Sequence, residues 1–137
     1  MNNNDHVFVI DTDPSVRKGL VRLLSNAGYE VSQFTSLREF LDALKPGLNG
    51  CIILDSLVLE LSEKDLLAEF KKHGVCVPFI IISADNDSKI KQRAHEMKAA
   101  GFFRKPVDGI ALIDAIEWAI QTGKRKNKLL PNQKLYL

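Results

Sequence analysis

Four side chains suited to handling a phosphoryl group each follow a short run that reads as a strand. Asp11 follows Val7–Ile10, Asp55 follows Cys51–Leu54, Ser83 follows Phe79–Ile82, and Lys105 follows Phe102–Arg104. A carboxylate can attack phosphorus and become an aspartyl phosphate. Two converging carboxylates repel unless a hard cation sits between them, and Mg2+ prefers such oxygen ligands. An ammonium and a hydroxyl can neutralise and hydrogen-bond phosphoryl oxygens. Each residue alone has a plain structural reading: Asp11 or Asp13 as a helix cap, Asp55 as the start of a turn, Ser83 as an N-cap, Lys105 as a solvated cation. Their shared position carries the weight, because open parallel sheets place their sites at the carboxyl ends of the strands. Asp55 is the best-placed nucleophile, since it ends the strand expected at the centre of the sheet.

Bringing these residues together requires strands alternating with helices. Val7–Ile10 is a continuous, largely β-branched apolar run, the pattern of a strand buried on both faces. Asp13 and Pro14 suit the N-cap and first position of a helix carrying Val16, Leu20, Leu23, Leu24 and Ala27, stopped by Gly28. A second strand, Glu30–Phe34, leads to Ser36-Leu37-Arg38-Glu39, a capping box for a helix with Phe40, Leu41 and Leu44, ended by Lys45-Pro46-Gly47. After the third strand, Cys51–Leu54, Ser62-Glu63-Lys64-Asp65 is expected to cap a helix with Leu66, Leu67 and Phe70 inward, closing at His73-Gly74. The fourth strand, Phe79–Ile82, gives way to a polar loop, Ala84 to Ser88, and a charged helix through Ala100. A short strand, Phe102–Arg104, precedes a last helix capped by Asp108 with Ile110, Ile113, Ile116 and Ile120 inward. Five strands alternating with five helices imply a parallel α/β sheet with right-handed crossovers.

The 137 residues, 45% of them hydrophobic, suit one core, and 26% charged residues exclude a disordered or fibrous chain. No apolar run approaches the roughly 20 residues of a membrane span. Met1 to His6 lack a secretory pattern, so a cytoplasmic protein is expected. Cys51 and Cys76 sit in no CxxC or Cys/His cluster, which argues against zinc; both read as small buried hydrophobes. Residues 121–137 carry Lys124, Arg125, Lys126, Lys128 and Lys134 with no acid, leaving the first 120 residues at a net charge of −3. An acidic body with a basic tail argues against a nucleic-acid-binding core. The composition changes near Gly123, so residues 6–121 are expected to form the domain and 122–137 a basic linker.

Over residues 6–121 the chain resembles the receiver domain of bacterial two-component response regulators. The resemblance is carried by Asp11-Thr12-Asp13, Asp55 after an apolar strand, Ser83 after Phe79-Ile80-Ile81-Ile82, Lys105-Pro106, and Phe102 three residues before Lys105. Val16 to Phe40 and Phe102 to Val107 are most similar to receivers joined to helix-turn-helix transcription factors. The resemblance implies a flavodoxin-like, doubly wound sheet of order 2-1-3-4-5 with five helices. It implies that Asp55 accepts a phosphoryl group from a sensor histidine kinase or phosphotransfer protein, without the chain being an enzyme. Asp11, Asp55 and the backbone carbonyl of Leu57 would hold Mg2+, joined by Thr12 or Asp13. Ser83 and Lys105 would bind the phosphoryl oxygens, and Lys105-Pro106 would be cis. Phe102 would move with Ser83 to remodel the face of the fourth helix, fifth strand and fifth helix, through which a homodimer is plausible. DNA would be reached only through an output domain beyond the tail; no membrane contact is implied.

The sequence departs from the family pattern at identifiable places. Thr12 stands where the family has a second acid, which should weaken Mg2+ binding. Leu59 and Glu63 replace a proline and a glycine in the stretch after Asp55, and Lys98 replaces a glycine before the fifth strand. These changes motivate an alternative, a receiver that works as a protein-interaction module without phosphorylation. A further alternative is a phosphatase resembling the haloacid dehalogenase type, since Asp11-Thr12-Asp13 fits its DxD; Asp55 is then unexplained.

Overall fold

The computed structural model describes residues 5–45, 48–61, 66–84 and 88–128. Five parallel strands form one sheet in the order β2-β1-β3-β4-β5: β1 is His6–Ile10, β2 Glu30–Phe34, β3 Gly50–Asp55, β4 Phe79–Ser83 and β5 Gly101–Arg104. The flavodoxin-like order expected from the sequence is thus the one observed, with β3 at the centre. Alternation along the strands sorts their apolar residues into two layers. Val7, Val9, Ile53, Ile80 and Ile82 face helices α1 (Pro14–Asn26) and α6 (Gly109–Lys128). Phe8, Ile10, Ile52, Leu54 and Ile81 face the opposite way, toward α2 (Leu37–Asp42), α4 (Leu66–Lys72) and α5 (Ser88–Glu96). There Phe40 meets Phe8, Phe34 and Phe70 edge to face, with ring centroids 5.4–6.4 Å apart.

The helix ends follow the capping logic of the sequence. Asp13 caps α1 by accepting from the Ser15 N–H, Ser36 caps α2 by accepting from Glu39, and Asp108 accepts from Ile110 and Ala111 at the start of α6. Helices α1, α4 and α5 close with the same pair of backbone bonds and a left-handed residue: Gly28 (φ 97°), Gly74 (φ 72°) and Lys98 (φ 59°). The glycine missing from the sequence pattern at position 98 is therefore missing where the backbone calls for one. A lysine held there costs about 1–2 kcal/mol, and glycine entropy returns part of that. Lys98→Gly is expected to stabilise the protein by about 0.5–1 kcal/mol, read as a higher urea midpoint with an unchanged slope.

Several boundaries and faces differ from the sequence-based expectation. The described residues contain six helices rather than five, because Ser56–Leu61, expected as loop, forms a short helix α3 directly after β3. The apolar Leu57-Val58 step gives that helix a face to bury, and Val58 is buried while Leu57 is not. The proposed cap at residues 62–65 lies outside the described residues. Leu67 and Ile110, expected inward, are 40% and 78% exposed: both fall in the first turn of their helices, turned away from the sheet. Helix α2 ends at Asp42 rather than near Lys45, and α5 at Glu96 rather than Ala100, where Lys98 turns the chain left-handed. Cys51 is buried, but Cys76 is exposed in the loop before β4. Helix α6 continues through Gly123 to Lys128, past the point where its apolar spacing fades.

Candidate functional site

The site lies where β1, β3, β4 and β5 end. Asp11 leaves β1 fully buried and is held from three sides. Its Oδ1 accepts the Asp13 N–H at 2.9 Å, its carbonyl accepts from Arg17 at 2.7 Å, and its own N–H donates to the Phe34 carbonyl at 3.1 Å. Arg17 also reaches Gln33 on β2, so α1 and β2 together fix the loop carrying the acid. Asp55 ends the central strand and is 4% exposed. Lys105 comes in from the end of β5, whose backbone is pinned by a 2.8 Å bond from the Lys105 N–H to the Ser83 carbonyl. The Lys105-Pro106 peptide is cis, as the resemblance implied.

These placements put one ammonium between two carboxylates. Lys105 Nζ lies 2.9 Å from Asp11 Oδ2 and 3.1 Å from Asp55 Oδ1. Burial raises the Asp55 carboxyl above its ordinary range; Lys105 draws it down, Asp11's charge pushes it up again, and the Leu57 backbone pulls it down slightly. For Lys105, burial works against the charge, but its bonds to Asp11 and Asp55 prevail and raise its pKa above the usual lysine value. The arrangement holds two carboxylates at low solvent exposure against one flexible cation, which offsets only one of their charges. That is a fitting environment for a nucleophilic carboxylate meeting an anionic phosphoryl group.

The sequence-predicted residues do not all join this cluster. Asp11, Asp55 and Lys105 meet directly. Ser83 is fully buried at the end of β4, and its hydroxyl accepts a 2.8 Å hydrogen bond from Ser56. Phe102 pairs with Ile81 across the β4–β5 ladder and packs against the cluster on the α5 side of the sheet. Thr12 and Asp13 are both exposed, and Asp13 is engaged as the α1 cap. The DxD reading of a phosphatase therefore lacks its second pocket acid; Asp55, from another strand, supplies it instead. Ser56 and Arg17 were not singled out from the sequence. For Ser56 a signal existed, a hydroxyl directly after Asp55 facing one that ends the neighbouring strand.

For a metal the donor set is short but chemically apt. Among the described residues no three His, Cys, Asp or Glu side chains gather. Two buried carboxylates already share a cation, and the nearby ligands are oxygens, so a hard ion that keeps several waters fits. No helix among the described residues is long and apolar enough to cross a membrane.

Comparison with known proteins places the fold in a family. The model of the response regulator receiver domain matches residues 7–117. The transcriptional regulatory protein FixJ of Azorhizobium caulinodans is 37% identical over 110 residues, covering 80% of this chain and 52% of that protein. FixJ of Bradyrhizobium diazoefficiens is 34% identical over 122 residues, 88% of this chain and 59% of that protein. Among solved structures, the response regulator StyR superposes with a TM-score of 0.79 at 34% identity, covering 91% of this chain and 63% of that one. Full-length FixJ from B. japonicum gives 0.77 at 30% identity over 97% of this chain and 72% of that one. The chain spans about half the length of the curated relatives it matches. On its fold, its acidic pocket and these matches together, this chain belongs to the response regulator receiver domain family.

Proposed function

We propose that Asp55 is a phosphoacceptor that takes a phosphoryl group from the phosphohistidine of a sensor histidine kinase or phosphotransfer protein. The observation that carries this reading is the Lys105 ammonium bonded to both buried carboxylates at the carboxyl edge of the sheet. A carboxylate oxygen of Asp55 forms the new bond to phosphorus as the phosphorus–nitrogen bond of the donor breaks, and the histidine leaves with that electron pair. Lys105 and Ser83 hydrogen-bond the phosphoryl oxygens. Asp11, Asp55 and the backbone carbonyl of Leu57 would hold Mg2+, with Thr12 or Asp13 able to contribute an oxygen. When bound, the ion neutralises charge on the transferring group. Phe102 and Ser83 then alter the surface of α5, β5 and α6, the helices corresponding to the fourth and fifth of the five expected from sequence. That surface is read by a partner, a second copy or an attached output domain, and the regulated process is transcription, as the names of the relatives suggest. Residues 6–121 make up this receiver unit, with 122–137 leading from it. The setting is cytoplasmic, and DNA is reached only through an output domain.

One observation favours a second reading. Thr12 is exposed, and Lys105 already bridges Asp11 and Asp55, offsetting one of their two charges without a metal. A receiver so arranged can serve as a phosphorylation-independent interaction module. The two readings separate on one experiment: incubation with Mg2+ and a small phosphodonor, followed by intact mass, beside Asp55→Asn. A single adduct of one phosphoryl group in the wild type and none in the variant is expected. Asp55→Asn should fold at least as stably at pH 7, because burial and Asp11 disfavour the charge it removes. A wild type that gains no adduct from the phosphodonor or from a kinase, at high Mg2+, would move the assignment to the interaction module.

A further inference from the structure

Ser56 takes no part in the chemistry outlined above, yet it is 6% exposed and donates a 2.8 Å hydrogen bond to Ser83, which is fully buried. Strand alternation shows what this bond does. Ile82 belongs to the layer facing α1 and α6, whereas Ile81 belongs to the layer on which Phe102 packs. Ser83, one position after Ile82, falls on the Phe102 side. Asp55, one position after Leu54, falls on the other side, where Lys105 Nζ reaches it. Ser56 thus ties the hydroxyl of Ser83 on the Phe102 side of the sheet, from the residue next to the proposed phosphoacceptor.

We infer that Ser56 is a positioning residue that restrains Ser83, so that Ser83 engages a phosphoryl group on Asp55 only by giving up its bond from Ser56. This inference rests on the reading of Asp55 as the phosphoacceptor. Both hydroxyls are shielded from water, and a buried hydroxyl that loses its partner is disfavoured. Ser83 is the acceptor in this bond, so its own O–H can donate to a phosphoryl oxygen, but from the Phe102 side of the sheet it must first turn toward Asp55, away from Ser56. The bond therefore opposes that turn, and removing the Ser56 hydroxyl removes one restraint on it. Restraint of this kind acts on the same residue that relays the change toward Phe102, so it sets how much phosphoryl binding is needed to shift the α5, β5 and α6 surface.

The test compares wild type, Ser56→Ala and Ser56→Thr, titrated with beryllofluoride in the presence of Mg2+ as a stable phosphoryl mimic. Engagement is followed by the backbone amide resonances of Ser83 and Phe102. The alanine variant is expected to reach its midpoint at about 3- to 10-fold lower beryllofluoride, the equivalent of one net hydrogen bond. Threonine keeps the hydroxyl and should stay within about twofold of wild type on the same grounds. An equal or higher midpoint for Ser56→Ala overturns the inference, as does a threonine variant that behaves like alanine. If the wild type itself shows no saturable response at Ser83, the phosphoacceptor reading falls and the restraint with it. A saturable wild-type response with an unmoved alanine variant overturns the restraint alone.

Discussion

Lys105→Met is expected to cost the fold about 3 kcal/mol at pH 7 and about half of that at pH 5. The Lys105 side chain is 16% exposed, while the carboxylates it joins are 0% and 6% exposed, so this is a buried ion pair shared between two acids. Methionine keeps the length and the apolar stem but leaves Asp11 and Asp55 facing each other without a cation. The loss has a ceiling, because the pair can shed one charge by taking up a proton. For a carboxyl near its ordinary value that costs roughly 4 kcal/mol at pH 7 and roughly 1.5 kcal/mol at pH 5. The sign in the wild type agrees. Asp55 has its pKa raised on folding, so its contribution is fullest in acid and declines as pH rises through the folded value. Lys105 also has a raised pKa, so its contribution holds through neutrality and is lost only as pH rises past that elevated value. Urea unfolding of both proteins at pH 5, 6 and 7 should therefore show a gap that narrows with acid, and that narrows at pH 7 on adding Mg2+. A gap of constant size across this range would assign Lys105 a packing role instead.

The parts of this molecule that were legible in the sequence are those where local signals and burial agree. Val7–Ile10 and Phe79–Ile82 are apolar on both faces, and a strand between two helical layers is the structure that buries them both ways. Asp13-Pro14 and Gly28 bracket α1 because a cap and a left-handed stop are chemical requirements of its ends. The site followed from the same order of elements, since strands that end in Asp55, Ser83 and Lys105 can only deliver them to one edge. The misreadings share a cause. Leu67 and Ile110 fit an apolar spacing, but the direction of a helix's first turn is set by how the helix docks, which spacing does not encode. The six residues of α3 are too few to show a helical period, and Ser62-Glu63-Lys64-Asp65 drew the expected start downstream. Ser56 escaped notice because its significance is its distance to Ser83, 27 positions away in the chain.

The position most open to change is Thr12, and Thr12→Asp is expected to tighten Mg2+ binding about tenfold. Among the described residues two buried carboxylates meet at Lys105, and Asp13 is occupied in capping α1, so neither it nor Thr12 adds a third negative charge to them. A carboxylate about 4 Å from a divalent ion gains roughly 2 kcal/mol even at the dielectric constant of water. Ordering the side chain and screening by salt take back part of this, leaving about 1.4 kcal/mol, or tenfold. Thr12 is exposed, so the aspartate has solvent to occupy when no metal is bound, and the fold should bear the change. Two measurements read the effect independently: the Mg2+ midpoint for forming the Asp55 adduct at fixed phosphodonor, and the Mg2+ midpoint for thermal stabilisation. Both should fall together in Thr12→Asp, while Thr12→Asn, a neutral oxygen donor of similar size, should move neither by more than about twofold. With the metal chelated, the third carboxylate adds repulsion beside Asp11, so the aspartate variant should melt slightly below wild type and cross above it as Mg2+ is added. If the adduct midpoint fell while the thermal midpoint stayed put, Thr12 would act on the phosphoryl donor rather than on the metal. If neither moved, the loop bearing residue 12 would not face the ion, and Asp11 and Asp55 would hold it with backbone and water alone.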